Sequence, residues 1–399
     1  MTTRASNRDE RGSGEGENLR HLFLLDPDVV HLNHGAFGAC PTSVLDAYQG
    51  WQRELERRPT SILSHRYDAL LDEARDRLAA YVGCTPATLA FVPNSTTGLN
   101  AVARSLPLEA RDEVLATDHE YEAMDLLWSR TCAEAGARYI RQRVPLPAND
   151  REELVDTIWS GVTPRTRIIY LSHITSKTAL ILPVAEICRR ARTAGITTVV
   201  DGAHAPGQIP LDLDAIGADV YAASCHKWLC APRGSGFLYV RPEYHAVVQA
   251  PVISHGSQAG SSFVERNRWQ GTRDPSAFLA VPAAIEFQES NEWKSVRSRC
   301  HELARAARSS LSTLFDLPPF TPDSPQWFAQ MVSAPLPPCD PEAARRRLFS
   351  EHQIDVPVRR WNDFHLIRLS FQAYNTSDDV DRLLAALTEL FPTPRRAPP

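Results

Sequence analysis

The chain has 399 residues, enough to bury a large core and long enough for two domains. Its 43% hydrophobic and 23% charged residues are ordinary for a soluble globular protein. A net charge of -5 gives no reason to expect nucleic acid or an anionic membrane as a partner, and no apolar run approaches bilayer-spanning length.

Residues 1–20 are polar. Gly12, Gly14 and Gly16 alternate among charges as in a phosphate loop, but no strand precedes them, so a flexible tail is expected. HLFLLDPDVVHLNHGAFGACP (21–41) sets short apolar runs around Asn33-His34-Gly35, a pattern shared by active-site loops and ordinary turns. A helical pattern runs from Pro41 to about Val82, with Leu70, Leu71, Ala74, Leu78 and Tyr81 on one face. LAFVPNSTTGLNAVARSL (89–106) then passes from an apolar strand through Asn94-Ser95-Thr96-Thr97-Gly98 into a helix. Plain N-capping needs one hydroxyl; three in succession before a glycine, at a helix N-terminus, point to a bound phosphate.

Strand DEVLAT (112–117), Asp118-His119-Glu120-Tyr121, a helix to about Ala135 and strand ARYIRQRV (137–144) follow. Ile168-Ile169-Tyr170-Leu171 leads into Ser172-His173-Ile174-Thr175-Ser176, and the helix 183–195 ends at a glycine, as a C-cap should. Strand, helix and strand recur through Asp201, Ser224 and Val240. Continuous apolar strands separated by helices predict an α/β fold whose mostly parallel sheet is covered on both faces. Ligands of such sheets sit at the strand C-terminal ends, and His119, Thr175, Asp201 and Lys227 all fall just past strand ends. An acid and a lysine there are what pyridoxal phosphate (PLP) chemistry requires: an amine to form a Schiff base and a carboxylate to keep the pyridine nitrogen protonated.

Beyond Asp274-Pro275 the character changes. Helical patterns at 276–290 and 293–315, a proline-rich stretch at 316–326, a short strand at 330–334 and a helix near 341–352 come first. Strands at 354–359 and 365–371 and a helix at about 377–390 complete a smaller α+β domain. The expected organisation is a tail (1–20), a large domain (21–274) whose N-terminal segment partly packs on the small one, and a small domain (275–399) with a frayed Pro/Arg end.

The eight cysteines are scattered, and MTTRASNRDERGSGEGEN lacks the apolar core of a signal peptide, so free thiols in a reducing cytoplasm are expected. Cys225-His226 and Cys230 have no second ligand pair at zinc-like spacing, which argues against a metal.

Eight stretches, in order, resemble one family. They are HLNHGAFGACP, FVPNSTTGLN, TDHEYEA, SHITSKTALILP, VDGAHAPG, CHKWLCAPRGSGFL, WQGTRDPSAFLAVPAAIEF and IRLSFQAYNT. The chain resembles the fold-type I PLP enzymes of the class V aminotransferase group, and within it the isopenicillin N epimerase-like proteins. The resemblance implies a seven-stranded, mostly parallel sheet sandwiched by helices, with a smaller C-terminal α+β domain.

It further implies that Lys227 carries the cofactor and moves protons, that Asp201 pairs with the pyridine nitrogen, and that His204 and Thr175 sit beside the ring hydroxyl. Ser95, Thr96, Ser224 and His226 match phosphate contacts. Thr272 matches a residue that reaches the neighbouring subunit's phosphate, which implies a homodimer with shared sites. His119 matches the ring-stacking residue, and Tyr121 is a nearby candidate for a general acid. Arg368, alternating outward from Ile367 and Leu369, suits a solvated face or bidentate carboxylate binding, and the resemblance assigns the second. Asn33 and His34 complete an amino-acid substrate site.

Departures narrow the reaction. Cysteine desulfurases carry a mobile cysteine before the carboxylate-binding arginine, and VPVRRWNDFHLIRLS has none. Lys177 stands where the pattern usually has proline, and faces either a polar substrate group or solvent. C–S β-elimination on an S-substituted cysteine is expected, because one lysine suffices for it. Epimerisation, which needs a second acid, and decarboxylation-coupled deamination are the alternatives, ahead of transamination.

Overall fold

The computed structural model describes residues 18–392, so nearly all of the expected tail and the Pro/Arg end lie outside the described residues. After a two-residue strand, β1 (Val30–His31), seven strands build the main sheet. They are β2 (Leu89–Val92), β3 (Glu113–Thr117), β4 (Arg138–Gln142), β5 (Thr166–Ser172), β6 (Thr197–Asp201), β7 (Val220–Ser224) and β8 (Gly236–Val240). Their order is β2-β8-β7-β6-β5-β3-β4. The pairs among β3 to β7 are parallel; β8 alone runs against both its neighbours.

The sequence explains this order. Strands β2, β3, β7 and β8 are buried along their whole length, as strands covered on both faces must be, whereas the edge strand β4 carries exposed Arg138 and Arg141. Parallel neighbours need a crossover, and helices such as Val184–Thr193 supply it. Residues 225–235 are too few for a crossover, so β8 returns antiparallel and its loop, which contains Lys227, stays at the sheet's C-terminal edge.

Three expected elements are divided, each near a proline. The pattern from 41 to 82 is two helices, Thr42–Arg57 and Tyr67–Val82, separated at Arg58-Pro59. The helix at 276–290 becomes Ser276–Leu279 and Val281–Ser290, with Pro282 starting the second piece. The strand at 354–359 is split by Pro357 into β10 (Ile354–Asp355) and β11 (Val358–Trp361), the strand before them being β9 (Met331–Leu336). Proline lacks the N–H that either ladder requires and constrains the residue before it.

β9, β11 and β12 (Phe364–Ser370) form an antiparallel sheet in the order β11-β12-β9. β1 pairs parallel with β10, and the Ser370 amide donates to the Leu32 carbonyl (2.9 Å), so the N-terminal segment is bonded to the C-terminal region. Among the described residues no helix is long and apolar enough to cross a membrane.

The turn after β6 depends on an absent side chain. A Cβ at Gly202 would run into the Tyr221 ring. Gly202→Ala should therefore destabilise the protein by about 1–3 kcal/mol, as overpacking of a filled interior does, read as a lower urea midpoint with an unchanged slope.

Candidate active site

The C-terminal ends of β5, β6 and β7 and the start of the helix Ser95–Ser105 enclose a cavity of about 410 Å³. One end is built for an anion. Asn94 caps the helix by accepting the Thr97 amide (2.9 Å), and the Ser95 and Ser224 hydroxyls meet at 3.2 Å. Ser95, Thr96, Ser224 and His226 all line this end, so hydroxyls and the positive end of an eleven-residue helix face the same space. His226 donates Nδ1–H to the Ser235 carbonyl (3.3 Å); burial and then the Lys227 charge lower its pKa to about 4, leaving it neutral.

Asp201 ends β6 on another wall. Its Oδ1 accepts the Ala203 amide (2.9 Å) and its Oδ2 accepts the Tyr170 hydroxyl (3.2 Å). Burial raises its proton affinity, against those hydrogen bonds and the Lys227 charge. Lys227 presents its accessible surface to the cavity and is crowded by protein elsewhere. This desolvation lowers the amine to about 8; Asp201 opposes the shift, while Arg368 and Arg359 assist it. His204 lies 3.4 Å from the Lys227 amine through Nε2 and is held neutral, first by burial and then by the Lys227 charge.

Arg368 reaches this region from β12. It is 1% exposed, and its hydrogen bonds go to neutral oxygens: the Ser176 carbonyl (2.7 Å), the Ser176 hydroxyl (3.3 Å) and Asn33 Oδ1 (3.4 Å). Its Nε is buried with no hydrogen-bond partner among the described residues. Burial, and then the like charge of Arg359, lower its pKa to about 9, the direction expected of a cation awaiting a counter-ion.

Asn33 and Arg368 stand beside Ser176, outside the cavity lining, and four other expected site residues are placed elsewhere. His119 is fully buried, donates Nε2–H to the Val144 carbonyl (2.8 Å), accepts from the Thr178 hydroxyl at Nδ1 (2.7 Å) and packs on Trp361. Tyr121, two residues on, lines the cavity instead. Thr175 points into a turn, its Oγ1 bonded to the Leu180 amide (2.9 Å) and Thr178 Oγ1 (2.8 Å); the cavity is lined by Ile174 and Ser176 on either side. His34 lies behind the wall, where Nε2–H donates to the Lys227 carbonyl (2.9 Å) and Nδ1 accepts from the Tyr374 hydroxyl (2.9 Å), leaving Ala36 and Phe37 to face the space. Thr272 is exposed and outside the lining.

Tyr170, Ser176 and Phe37 were missed by sequence reasoning. Tyr170 reads as one more apolar residue of β5, although a tyrosine inside a buried strand needs a hydroxyl partner, and that need was the available signal. Among the described residues, no group of three or more His, Cys, Asp and Glu is disposed to hold a metal.

These residues fit PLP: a helix start suited to its phosphate, a buried carboxylate for its ring nitrogen, an amine of lowered proton affinity for its aldehyde, and nearby a buried guanidinium whose Nε has no partner among the described residues, suited to a substrate carboxylate. Because only the neutral amine attacks an aldehyde, the rate at which cofactor-free protein takes up PLP should rise with pH and level off above about 8, followed by stopped-flow absorbance. Asp201→Asn should move that break to lower pH, since the carboxylate stabilises the ammonium form.

Comparison with known proteins agrees. The chain is 40% identical to the isopenicillin N epimerase of Amycolatopsis lactamdurans over 390 residues, covering 94% of this chain and 98% of that protein. It is 30% identical to a putative L-cysteine desulfhydrase of Oryza sativa, covering 91% of this chain and 83% of the relative. The fold superposes on an apo cysteine desulfurase from Thermococcus onnurineus with a TM-score of 0.80 at 21% identity, over 95% of this chain and 99% of that one. It superposes on a C-DES mutant with glycine covalently linked to its PLP cofactor with a TM-score of 0.82 at 24% identity, over 93% and 99%. The sequence profile described as "Aminotransferase class-V" matches residues 30–383, and the chain therefore belongs to the class V aminotransferase family of PLP-dependent enzymes.

Proposed function

We propose that this enzyme removes and returns the proton at Cα of an amino-acid moiety bearing a large substituent, and that its reaction is epimerisation at that carbon. One observation carries the reading: Tyr121 and Lys227, from different elements, line the same cavity. Inversion needs a group that takes a proton and another that gives one, and retention of a single lysine does not supply both.

Arg368 holds the substrate carboxylate, because a planar fork suits bidentate binding and this guanidinium is buried without a charged partner. Asn33 orients it. Lys227 Nζ takes the Cα proton, and the Tyr121 hydroxyl gives one back from another direction. Bound PLP supplies the electron sink for the pair left at Cα. Room for a substituent comes from a second chamber of about 900 Å³, which shares Ala36 and Phe37 with the first and is lined in part by Arg141, Lys177 and Arg359. An isopenicillin N epimerase is the kind of relative that supports a substrate of this size.

C–S β-elimination, expected from the sequence, is the second reading. The desulfhydrase relatives and a hercynylcysteine sulfoxide lyase of Schizosaccharomyces pombe, 24% identical over 317 residues, support it. A homodimer in which Thr272 serves the partner's site also belongs to the proposal, supported by the exposure of Thr272 away from its own cavity.

The deciding experiment incubates PLP-loaded enzyme with amide-extended amino acids and S-substituted cysteines in deuterated water. Intact substrate with deuterium at Cα and inverted configuration is expected; pyruvate with a free thiol would replace epimerisation by elimination. Tyr121→Phe should slow inversion by about 10²-fold or more while one-sided exchange at Cα continues, measured by chiral chromatography with mass spectrometry. Arg368→Lys should raise KM at least about tenfold, reflecting loss of the fork.

A further inference from the structure

Trp228 follows the working lysine directly, and its side chain does not reach the cavity. It is fully buried beneath the Lys227 loop, its ring packed on His34 at 5.2 Å, and its carbonyl accepts the Gln288 amide (2.9 Å). Its indole Nε1 lies 3.2 Å from His204 Nδ1.

The chemistry of these two rings leaves one arrangement. An indole N–H donates and cannot accept, so His204 Nδ1 must be the acceptor and carries no hydrogen. A neutral imidazole has one N–H, which therefore sits on Nε2. That nitrogen faces the Lys227 amine at 3.4 Å. Backing the same histidine, the Gln208 side chain donates to the His204 carbonyl (2.7 Å), so the residue is held at both ends.

We propose that Trp228 is a positioning residue: its indole N–H fixes His204 in the Nε2–H tautomer, which presents a hydrogen-bond donor to the Lys227 amine and to an oxygen bound beside it. The proposal deepens the reading above and rests on it only in taking Lys227 as the working amine. An ammonium has no lone pair with which to accept Nε2–H, whereas a neutral amine has one. The tautomer therefore selects the reactive form of the lysine, alongside the charges that also face it: Asp201, which favours the ammonium, and Arg368 and Arg359, which oppose it. His226, the other histidine near the amine, is neutral and turns its Nδ1 to Ser235. Without the indole N–H, the imidazole is free to carry its hydrogen on Nδ1 and offer a lone pair to the ammonium.

The first measurement is ¹⁵N NMR of full-length protein labelled at histidine, loaded with PLP and again after its removal, with His204→Gln identifying the resonances. We expect Nδ1 in the unprotonated range and Nε2 in the protonated range; the reverse assignment overturns the proposal. The second is trace acetylation of Lys227 in cofactor-free protein, followed against pH by peptide mass spectrometry. In Trp228→Phe the pH of half-labelling should rise, each unit lowering labelling at neutral pH about tenfold. A folded variant with an unmoved midpoint overturns the proposal, and if the variant does not fold, the tautomer measurement decides alone. Neither readout involves turnover, so failure of the epimerase reading leaves both intact.

Discussion

The site depends on holding cations in protein with too few counter-ions. Lys227 and Arg368 both feel desolvation first; after it the lysine feels Asp201, the acid that faces it, and the guanidinium feels the like charge of Arg359. Burying a charge is unfavourable unless it is paired and hydrogen-bonded. The fold meets this with neutral partners: the Ser176 carbonyl and Asn33 for the guanidinium, and uncharged His204 and His226 around the amine. What is left over is two places that favour negative charge, the helix start at Ser95 and the guanidinium of Arg368.

Topology makes this burial possible. A parallel sheet covered on both faces ends in a crevice, because its crossovers all leave from the same edge. Here β5, β6 and β7 deliver Ser172, Asp201 and Ser224 to that edge side by side. The reversal of β8 keeps the Lys227 loop there, where a further parallel strand would have carried the chain away through a crossover. The small antiparallel sheet then supplies Arg368 beside Ser176, and the pairing of β1 with β10 brings Asn33 next to it. The Arg368–Asn33 contact thus joins residues separated by more than three hundred positions, while the wall holding Ser172, Asp201 and Ser224 is built from neighbouring strands.

Behind the wall lies a second set of residues with a supporting role. His34 holds the Lys227 carbonyl, Tyr374 holds His34, and Trp228 packs against both the histidine and the loop. Their hydrogen bonds are buried, where an unmet donor or acceptor is costly, so the loop has little freedom to redirect the amine. The family relationship runs to both epimerases and C–S lyases, which is consistent with a shared device for generating a carbanion at Cα and a separate choice of where the proton or leaving group goes.

Much was legible in the sequence because it is local. The α/β class, the strand ends at Asp201 and Ser224, the hydroxyl-rich helix start at Ser95 and Thr96, and the lysine after β7 all follow from strand period, capping and loop length over a few residues. Apart from Thr272, the displaced residues are off by one to three positions: Tyr121 lines the cavity rather than His119, Ser176 rather than Thr175, and Ala36 and Phe37 rather than His34. In the turns that follow strands and in the short helix His34–Phe37 neighbouring side chains point in different directions, so a motif names the turn without naming which neighbour faces the ligand. That facing is decided by what packs behind, such as Trp361 on His119 and Tyr374 on His34. Likewise Arg368 reads alike as a solvated or a ligand-binding residue until β12 is laid against β9 and the guanidinium is enclosed beside Ser176. Sequence by itself therefore determined the elements and their chemistry, and tertiary packing decided which of those groups share a cavity, because burial and direction belong to contacts between distant segments.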